Sequence, residues 1–300
     1  MRKLGLWAVV VLAAVGLSAC ASSTSSRFLR SGKPATLQLS ASEESSGLAC
    51  SQRKDGLFWI ANDSGSWPDL YLAAADGAYR GTLRINGVRN VDWEALDSFV
   101  WEGRPWLLVA DTGDNASRRD FCTIHLLPEP TIPETSEFPG VQPARKIVFR
   151  YEGGPRDCEA VAVDPAGEKI LLISKRTKPP FLYELPLREG KTGGIQIAKK
   201  ICPVHVERPL GAPLAPYGNQ PTGLSIRPDG SLAAVLTYYG VFLFPRHDGE
   251  SWATAFSRKP ERLAPHKLPQ AEAITFSRDG KTLYVISEGR CSPIVTYTLK

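Results

Sequence analysis

Hydrophobic residues along this chain fall into short alternating runs, and the runs come in pairs joined by a turn. In the stretch 223–237 (GLSIRPDGSLAAVLT) two β-rich runs flank Asp229-Gly230; in 273–287 (AITFSRDGKTLYVIS) two more flank Asp279-Gly280. Alternation with a period of two predicts half-buried strands, and Asp-Gly between two such runs predicts a hairpin. Asp55-Gly56, Glu102-Gly103 and Ala166-Gly167 supply the turns of three further hairpins. Glycine suits these places because such turns need a positive φ, at which most side chains are strained.

Each hairpin opens on one phrase: a polar or acidic residue, then Ala or Gly, then an aliphatic residue. The copies are Ser46-Gly47-Leu48, Glu94-Ala95-Leu96, Glu159-Ala160-Val161, Thr222-Gly223-Leu224 and Glu272-Ala273-Ile274. Two more strand candidates follow the hairpin, as in 70–74 and 79–85, joined by Asp76-Gly77. Recurrence at intervals of roughly 50 to 65 residues marks a repeat architecture. Four antiparallel strands repeated around an axis predict an all-β fold, the β-propeller, whose ring of small sheets leaves few exposed edges. Five copies predict five blades, and six would need a degenerate blade near residues 190–220; an open β-sandwich is the structural alternative. The longer intervals hold Pro-rich insertions, 128–143 and 203–221. The last copy has three strands before Lys300, so the extended segment Ala35–Ser40 is expected to add its outer strand and close the ring.

The N-terminus reads as an export signal over 1–19. Arg2 and Lys3 precede an apolar run, Leu4 to Gly16, that is too short for an ordinary membrane span. Leu17-Ser18-Ala19-Cys20 resembles the lipobox of bacterial lipoproteins. The resemblance implies cleavage before Cys20 and attachment of acyl chains, palmitate among them. Several chains on one residue anchor firmly, at about 0.8 kcal/mol per buried methylene. Ala21, where an aspartate would resemble an inner-membrane retention signal, points to the outer membrane, with the protein facing the periplasm. The alternative is an ordinary secretory signal with Cys20 unmodified. Residues 20–32 read as the lipidated cysteine and a flexible tether, and 33–300 as one propeller domain. A net charge of +5 over 300 residues, without a basic cluster, argues against nucleic acid as a partner.

In a propeller the first strand of each blade lines the central channel. The loop entering that strand opens on the same face as the loop after the second strand. Asp92 and Glu94 are therefore expected near Asp111, Asp114 and Asn115, Asp157 and Glu159 near Lys175 and Arg176, and Glu272 near Glu288, with Asp63 from the first blade. Carboxylates crowded at one opening repel, so some take up protons unless cations lie between them. Such an oxygen-rich site suits Ca²⁺, with Glu94, Asp111, Asp114, Glu159 and Glu272 as candidate ligands. The bland alternative has each Glu bonding the backbone of the next blade and each Asp making a turn. Arg118, Arg119, Lys175, Arg176, Lys178 and Arg290 stand on the same rim. They either orient a small anionic ligand or form solvated ion pairs worth little each. The insertion 203–221, with His205, Tyr217 and Asn219, is either a lid over the channel or a filler between blades. Trp67, unlike the tryptophans in strand patterns, is a candidate ligand contact.

Five cysteines follow Cys20, an odd number, so one thiol is left over whatever pairs. Cys122 and Cys158 fall on adjacent blades near the mouth and are the expected disulfide, the alternative being two buried thiols. No C-x-x-C occurs and the four histidines are scattered, which makes structural zinc improbable.

Asp-Trp-Glu-Ala-Leu at 92–96, Asp-Thr-Gly-Asp-Asn at 111–115, Asp-Cys-Glu-Ala-Val at 157–161 and Gln-Ala-Glu-Ala-Ile at 270–274 give the chain a family likeness. It resembles exported bacterial propellers of the phytase-like and esterase-like kind, and calcium-dependent lactonases of the gluconolactonase type. The resemblance implies a site at the channel mouth, with calcium as the cofactor. Those relatives commonly have six blades, so their catalytic residues do not carry over one by one. Neither Gly-x-Ser-x-Gly nor His-Glu-x-x-His is present, and no Gly-rich phosphate loop follows a strand. The expected function is an envelope-anchored binding lipoprotein that holds a small anionic ligand or an envelope protein at its acidic mouth. The alternative is a calcium-dependent phosphoesterase or lactonase, with Glu159 or Glu272 handling the proton.

Overall fold

The computed structural model describes residues 28–39, 43–188, 194–208 and 219–300. The expected signal peptide, Cys20, residues 209–218 of the second insertion and its Tyr217 lie outside them. In chain order the strands begin with β1 (Phe28–Arg30) and β2 (Ala35–Thr36). Then come β3 (Ser45–Cys50), β4 (Leu57–Asn62), β5 (Asp69–Ala74) and β6 (Tyr79–Arg84), a four-stranded antiparallel sheet. A second unit holds β7 (Trp93–Trp101), β8 (Arg104–Asp111), β9 (Cys122–Pro128) and β10 (Arg145–Tyr151). A third holds β11 (Cys158–Asp164), β12 (Lys169–Ser174), β13 (Phe181–Pro186) and β14 (Gln196–Pro203). A fourth holds β15 (Pro221–Ile226), β16 (Leu232–Thr237), β17 (Gly240–Pro245) and β18 (Glu261–Arg262), with the short helix α1 (Trp252–Ser257) before β18. The last is built from β19 (Ala271–Phe276), β20 (Thr282–Ser287) and β21 (Pro293–Leu299).

The first strands close a circle: β3 packs on β7, β7 on β11, β11 on β15, β15 on β19, and β19 back on β3. The chain is an all-β propeller. Part of the stretch 190–220, where the sequence leaves room for another unit, is β14. At the periphery β10 and β14 pair in parallel, which fuses the second and third units into one eight-stranded sheet. The hairpin turns take positive φ at Gly56, Gly103, Gly230 and Gly280; in the third hairpin it is Glu168, not Gly167, that does so.

Closure of the ring differs from the expectation. The outer strand of the last unit is β1, which pairs antiparallel with β21, rather than Ala35–Ser40. The tether expected over 20–32 therefore gives way to a strand at Phe28. The reason is Phe28 itself, 4% exposed and edge-on to Phe276 at 6.0 Å, inside the core between the fourth and last units. Ala35–Thr36 pairs with the other end of β21. The chain then crosses to the first unit, where the Gln38 amide donates to Gly77 O (2.7 Å) and Leu37 and Leu39 are buried.

The cores lie between neighbouring units, which explains the small residue in the repeated phrase. A Cβ added at Gly47 would lie 2.7 Å from Leu96 Cβ and 2.9 Å from Leu96 N, the aliphatic position of the next copy. Gly47→Val is therefore expected to cost about 1–3 kcal/mol by overpacking. Thermal unfolding should show a loss of several degrees, with Gly194→Val, whose Cβ meets nothing, as the unchanged control.

The first insertion is structured rather than a bare loop. Its Glu137 and Val141 bridge to Thr82 and Ile85 alongside β6, and Phe138 meets Trp59 at 5.3 Å. Trp59, Trp93 and Trp101 are buried, whereas Trp67 is 71% exposed, with the Arg84 guanidinium over its ring.

Candidate functional site

A single local irregularity builds the site. In every unit the ladder between the first and second strands skips one residue: between Ser45 and Gly47, Trp93 and Ala95, Cys158 and Ala160, Pro221 and Gly223, and Ala271 and Ala273. The skipped residues are Ser46, Glu94, Glu159, Thr222 and Glu272, the leading position of the repeated phrase in all five copies. A bulge of this kind leaves its extra residue unpaired and re-aims its side chain. The residue just past the second strand stands beside it: Asp63, Thr112, Lys175, Tyr238 and Glu288, respectively. In four units its amide donates to the residue two before the bulge, at Glu44 O (2.8 Å), Asp92 O (3.1 Å), Asp157 O (2.9 Å) and Gln270 O (3.0 Å).

These positions divide by chemistry. The hydroxyls stitch units together: Ser46 Oγ donates to Trp93 O, Thr112 Oγ1 to Cys158 O and Thr222 Oγ1 to Ala271 O, at 2.7–2.8 Å. That is the role which the bland alternative gave to the glutamates. The carboxylates instead converge. Oxygens of Asp63, Asp92 and Glu94 lie within 4.8 Å of one another, and so do oxygens of Glu94, Asp157 and Glu159. Gly113 makes the approach feasible, since a Cβ there would lie 2.4 Å from Asp92 Oδ2 and 2.6 Å from Glu94 Oε1. Glu94, Glu159 and Glu272 are each 5% exposed, so the charge is held largely out of water.

Two cations and a hydroxyl answer part of this charge. Lys175 Nζ pairs with Glu159 Oε1, Arg176 Nε with Asp157 Oδ2 (2.6 Å), and Tyr238 OH donates to Glu272 Oε1 (2.9 Å). Gln270 Nε2 donates to Glu288 Oε2. The compensation is incomplete. Burial, then repulsion from Glu159 and Asp63, pushes Glu94 well above the usual carboxylate range. Burial and the neighbouring Asp63 push Asp92 up to about 6, and burial with Glu272 and Asp63 pushes Glu288 up to about 7. Burial raises Glu159 and Glu272 as well, although Lys175 pulls both the other way. Burial alone would lower Lys175, but Glu159 and Glu272 outweigh it and its pKa ends raised.

Of the expected metal ligands, Glu94 and Glu159 fall in the carboxylate groups, and Glu272 stands beside them on Tyr238. Asp111 and Asp114 do not join. Asp111 accepts from Arg119 Nη2 (2.7 Å) and the Val91 amide (3.2 Å). Asp114 accepts from the amides of Arg118 (2.8 Å) and Arg119 (2.9 Å). Asp114 braces its own loop, the turn-making role that short acidic side chains favour, and Asp111 ties its loop to the one entering β7. Asp92 and Asp157 supply the carboxylates in their place. Their signal was present in the sequence as an acid or amide two residues before every bulge: Glu44, Asp92, Asp157, Gln220 and Gln270. Tyr238 had no such signal.

Among the rim residues, Asp63 and Glu288 belong to the mouth, and Lys175 lies buried inside it. Asn115 is exposed and bonded by Arg176, and Arg118 is exposed on the Asp114 loop. Arg290 pairs with Glu43, and neither belongs to the carboxylate groups. Asn219 donates to Val206 O (2.9 Å), within the second insertion.

The expected disulfide is absent: Cys122 and Cys158 are free, as are Cys50, Cys202 and Cys291. Cys158 Sγ is directed at Ala160 O of its own strand (3.7 Å). Burial pushes the Cys122 thiol up to about 12 and raises Cys158 too, which leaves both protonated and unreactive.

The other end of the strand circle carries a cavity of about 150 Å³, lined by Gln52, Asp97, Ser98, Arg227 and Thr275 among others. Its buried acid, Asp97, accepts from the amides of Ser98 (2.8 Å) and Val163 (2.7 Å), and burial pushes it up to about 7. A second buried acid lining the cavity, Asp164, accepts from the Gly167 amide, Arg246 and Trp252, so both carboxyls are already engaged and offer less to a ligand than the opposite mouth does.

Both groups at the mouth consist of carboxylates alone, a donor set that fits a hard cation such as Ca²⁺ rather than zinc. Glu159 Oε2, buried and without a hydrogen-bond partner, fits the same role. No family model and no curated protein matches the sequence. Among solved structures the chain is similar to U3-55K, at 15% identity and TM-score 0.39 over 85% of this chain and 68% of that one. It is similar to hydrazine synthase of Kuenenia stuttgartiensis, at 15% identity and TM-score 0.40, over 82% of this chain and 56% of that one. A nidogen/laminin complex contains a third such chain, at 14% identity and TM-score 0.45, over 82% of this chain and 73% of that one. What places this protein among propellers is its own closed circle of first strands.

Proposed function

We infer that the acidic mouth is a calcium-organised binding site on an envelope-anchored propeller lipoprotein. One observation carries this reading: the two overlapping carboxylate groups that share Glu94, with too few side-chain cations to balance them. Asp63, Asp92 and Glu94 would hold the ion, with Asp157 and the unpartnered Glu159 Oε2 at its edge. A bound divalent ion converts the centre of the mouth from repelling anions to attracting them. The class of ligand that follows is a small carboxylate or phosphate, or an acidic segment of an envelope protein, received at the rim by Arg118, Arg176 and Asn115. The lipobox-like Cys20 would tether this face at the outer membrane, on the periplasmic side. This reading agrees with the resemblance to phytase-like and gluconolactonase-type propellers.

Calorimetric titration of the purified, chelator-treated protein with calcium is expected to show binding with a Kd of about 10⁻⁶ to 10⁻⁴ M. Asp111→Asn should bind equally well. Absence of calcium binding by the wild type would sink the reading.

A second reading, calcium-dependent hydrolysis of a phosphoester or lactone, is favoured by Glu272. It lies outside both carboxylate groups, its pKa is raised, and Tyr238 orients it, so it is free to handle a proton. The calcium would polarise the substrate oxygen. Turnover that disappears both with chelator and in Glu272→Gln would promote this reading over simple binding.

A further inference from the structure

The mouth already contains a cation of its own. Lys175, the first residue after β12, is 5% exposed, and its Nζ pairs with Glu159 Oε1 and lies 5.4 Å from the centre of the Tyr238 ring. The acids that act on it most strongly are Glu159 and Glu272, from the third and last units. The acids of the first and second units are placed differently. Among the described residues, Asp63, Asp92 and Glu94 take part in no ion pair, and Asp157 pairs with Arg176. The mouth thus has a half with a resident ammonium and a half without one. Glu159 joins the two: its Oε1 is on Lys175, while its buried Oε2 has no partner, and it belongs to the group with Glu94 and Asp157.

We propose that Lys175 is a built-in counter-cation that fills a second cation position, so that the mouth accepts one exchangeable divalent ion and not two. The exchangeable ion sits on the Asp63, Asp92 and Glu94 side; the position beside Glu159 and Glu272 belongs to the lysine. An ammonium is a compact point charge with three donors, and it can take the place of a small ion among carboxylates. Without it, Glu159 and Glu272 would be buried charges left uncompensated, a state relieved by protonation or by a second ion. Lys175 in this way sets the stoichiometry and charge of the loaded site. The first half of the inference rests on the calcium reading above; the second, that Lys175 blocks a position, does not.

The test counts bound ions. Terbium luminescence and elemental analysis after gel filtration are applied to the purified wild type and to Lys175→Met, which keeps the length of the side chain and removes its charge. The expected counts are one ion per chain in the wild type and two in Lys175→Met. The double variant Lys175→Gln/Glu159→Gln, which removes both charges of the bridge, should return the count to one. If Lys175→Met folds only with calcium present, that supports the proposal, and the ions are counted on the calcium-refolded protein. Where the wild type binds an ion, a count in Lys175→Met no higher than in the wild type overturns the role of Lys175 and leaves the calcium reading standing. No ion in the wild type and one in Lys175→Met does the reverse. No ion in either removes both.

Discussion

Glu94→Gln is expected to weaken calcium binding about 100-fold while raising the melting temperature of the metal-free protein. Two opposite signs from one substitution make this a sharp test. Glu94 is the residue shared by both carboxylate groups, so its loss reduces the charge of each. Affinity for calcium follows the number of charged ligands, and a 100-fold loss corresponds to about 2.8 kcal/mol. Glutamine keeps the size and one carbonyl oxygen, so the change isolates charge from shape. In the metal-free protein the same charge is a liability. Glu94 is 5% exposed, and burial with three acidic neighbours, Glu159, Asp63 and Asp92, holds its pKa well above the usual range. A neutral amide removes that repulsion. Asp111→Asn gives the contrasting pattern: unchanged calcium affinity and lower stability, because Arg119 loses its carboxylate partner. Glu94→Gln binding as the wild type does, or Asp111→Asn losing as much, would place the ion elsewhere.

The contrast between Glu94 and Asp111 also shows how far the sequence can be read. The hairpins are legible because alternation and Asp-Gly turns are local signals, written within about 15 residues. The gathering of Glu94, Glu159 and Glu272 is legible because a repeat carries one position to the same place in each unit. Which neighbouring acids face the mouth is legible only in part: Asp92 and Asp157 stand two residues before a bulge, but nothing in the sequence separates them from Asp111 and Asp114. That is decided by a bulge, a register skip between two strands, and by hydrogen bonds that engage Asp111 with the Val91 amide and Arg119 and turn Asp114 back on its own loop. The bulge also accounts for the phrase itself. Where the skipped residue is Ser46 or Thr222 it bonds the next unit, and where it is glutamate it adds charge to the mouth. The closing strand was hidden for a different reason. Phe28-Leu29-Arg30 follows a serine-rich run, and three residues carry too little alternation to announce a strand. Only Phe28, placed against Phe276, marks it as part of the fold.

The raised carboxyl groups make a second large effect expected: without calcium, stability should fall as pH rises from about 5 to about 8, and calcium should reverse much of that fall. Asp92 is pushed up to about 6 and Glu288 to about 7, and Glu94, Glu159 and Glu272 are raised as well. An acid whose pKa is higher in the folded state binds its proton more tightly there. Its contribution is complete below the unfolded value of about 4 and is lost as pH climbs through the folded value. Acids with lowered pKa, Asp229, Asp279 and Glu250, act in the opposite direction only below their ordinary 3.8 to 4.5, outside this window. The buried His125 and His266, lowered by burial, oppose the fall up to their ordinary 6.5, so the net loss is expected mainly above that pH. A melting temperature lower at pH 8 than at pH 5 by on the order of 5 °C is expected in chelator, with the gap narrowed in calcium. Because protons must leave before the ion binds, the calcium-induced rise should itself be larger at pH 8. Asp97 supplies the internal control. It is pushed up to about 7 by burial at the far end of the strand circle, so its share of the slope should persist in calcium. Asp97→Asn removes that share and keeps the calcium response, whereas Glu94→Gln flattens the slope and shifts the response to about 100-fold higher calcium. A metal-free melting temperature that rises from pH 6.5 to pH 8, above the range in which the buried His125 and His266 act, would mean that the mouth is already neutralised by its own side chains, and no cation would be needed there.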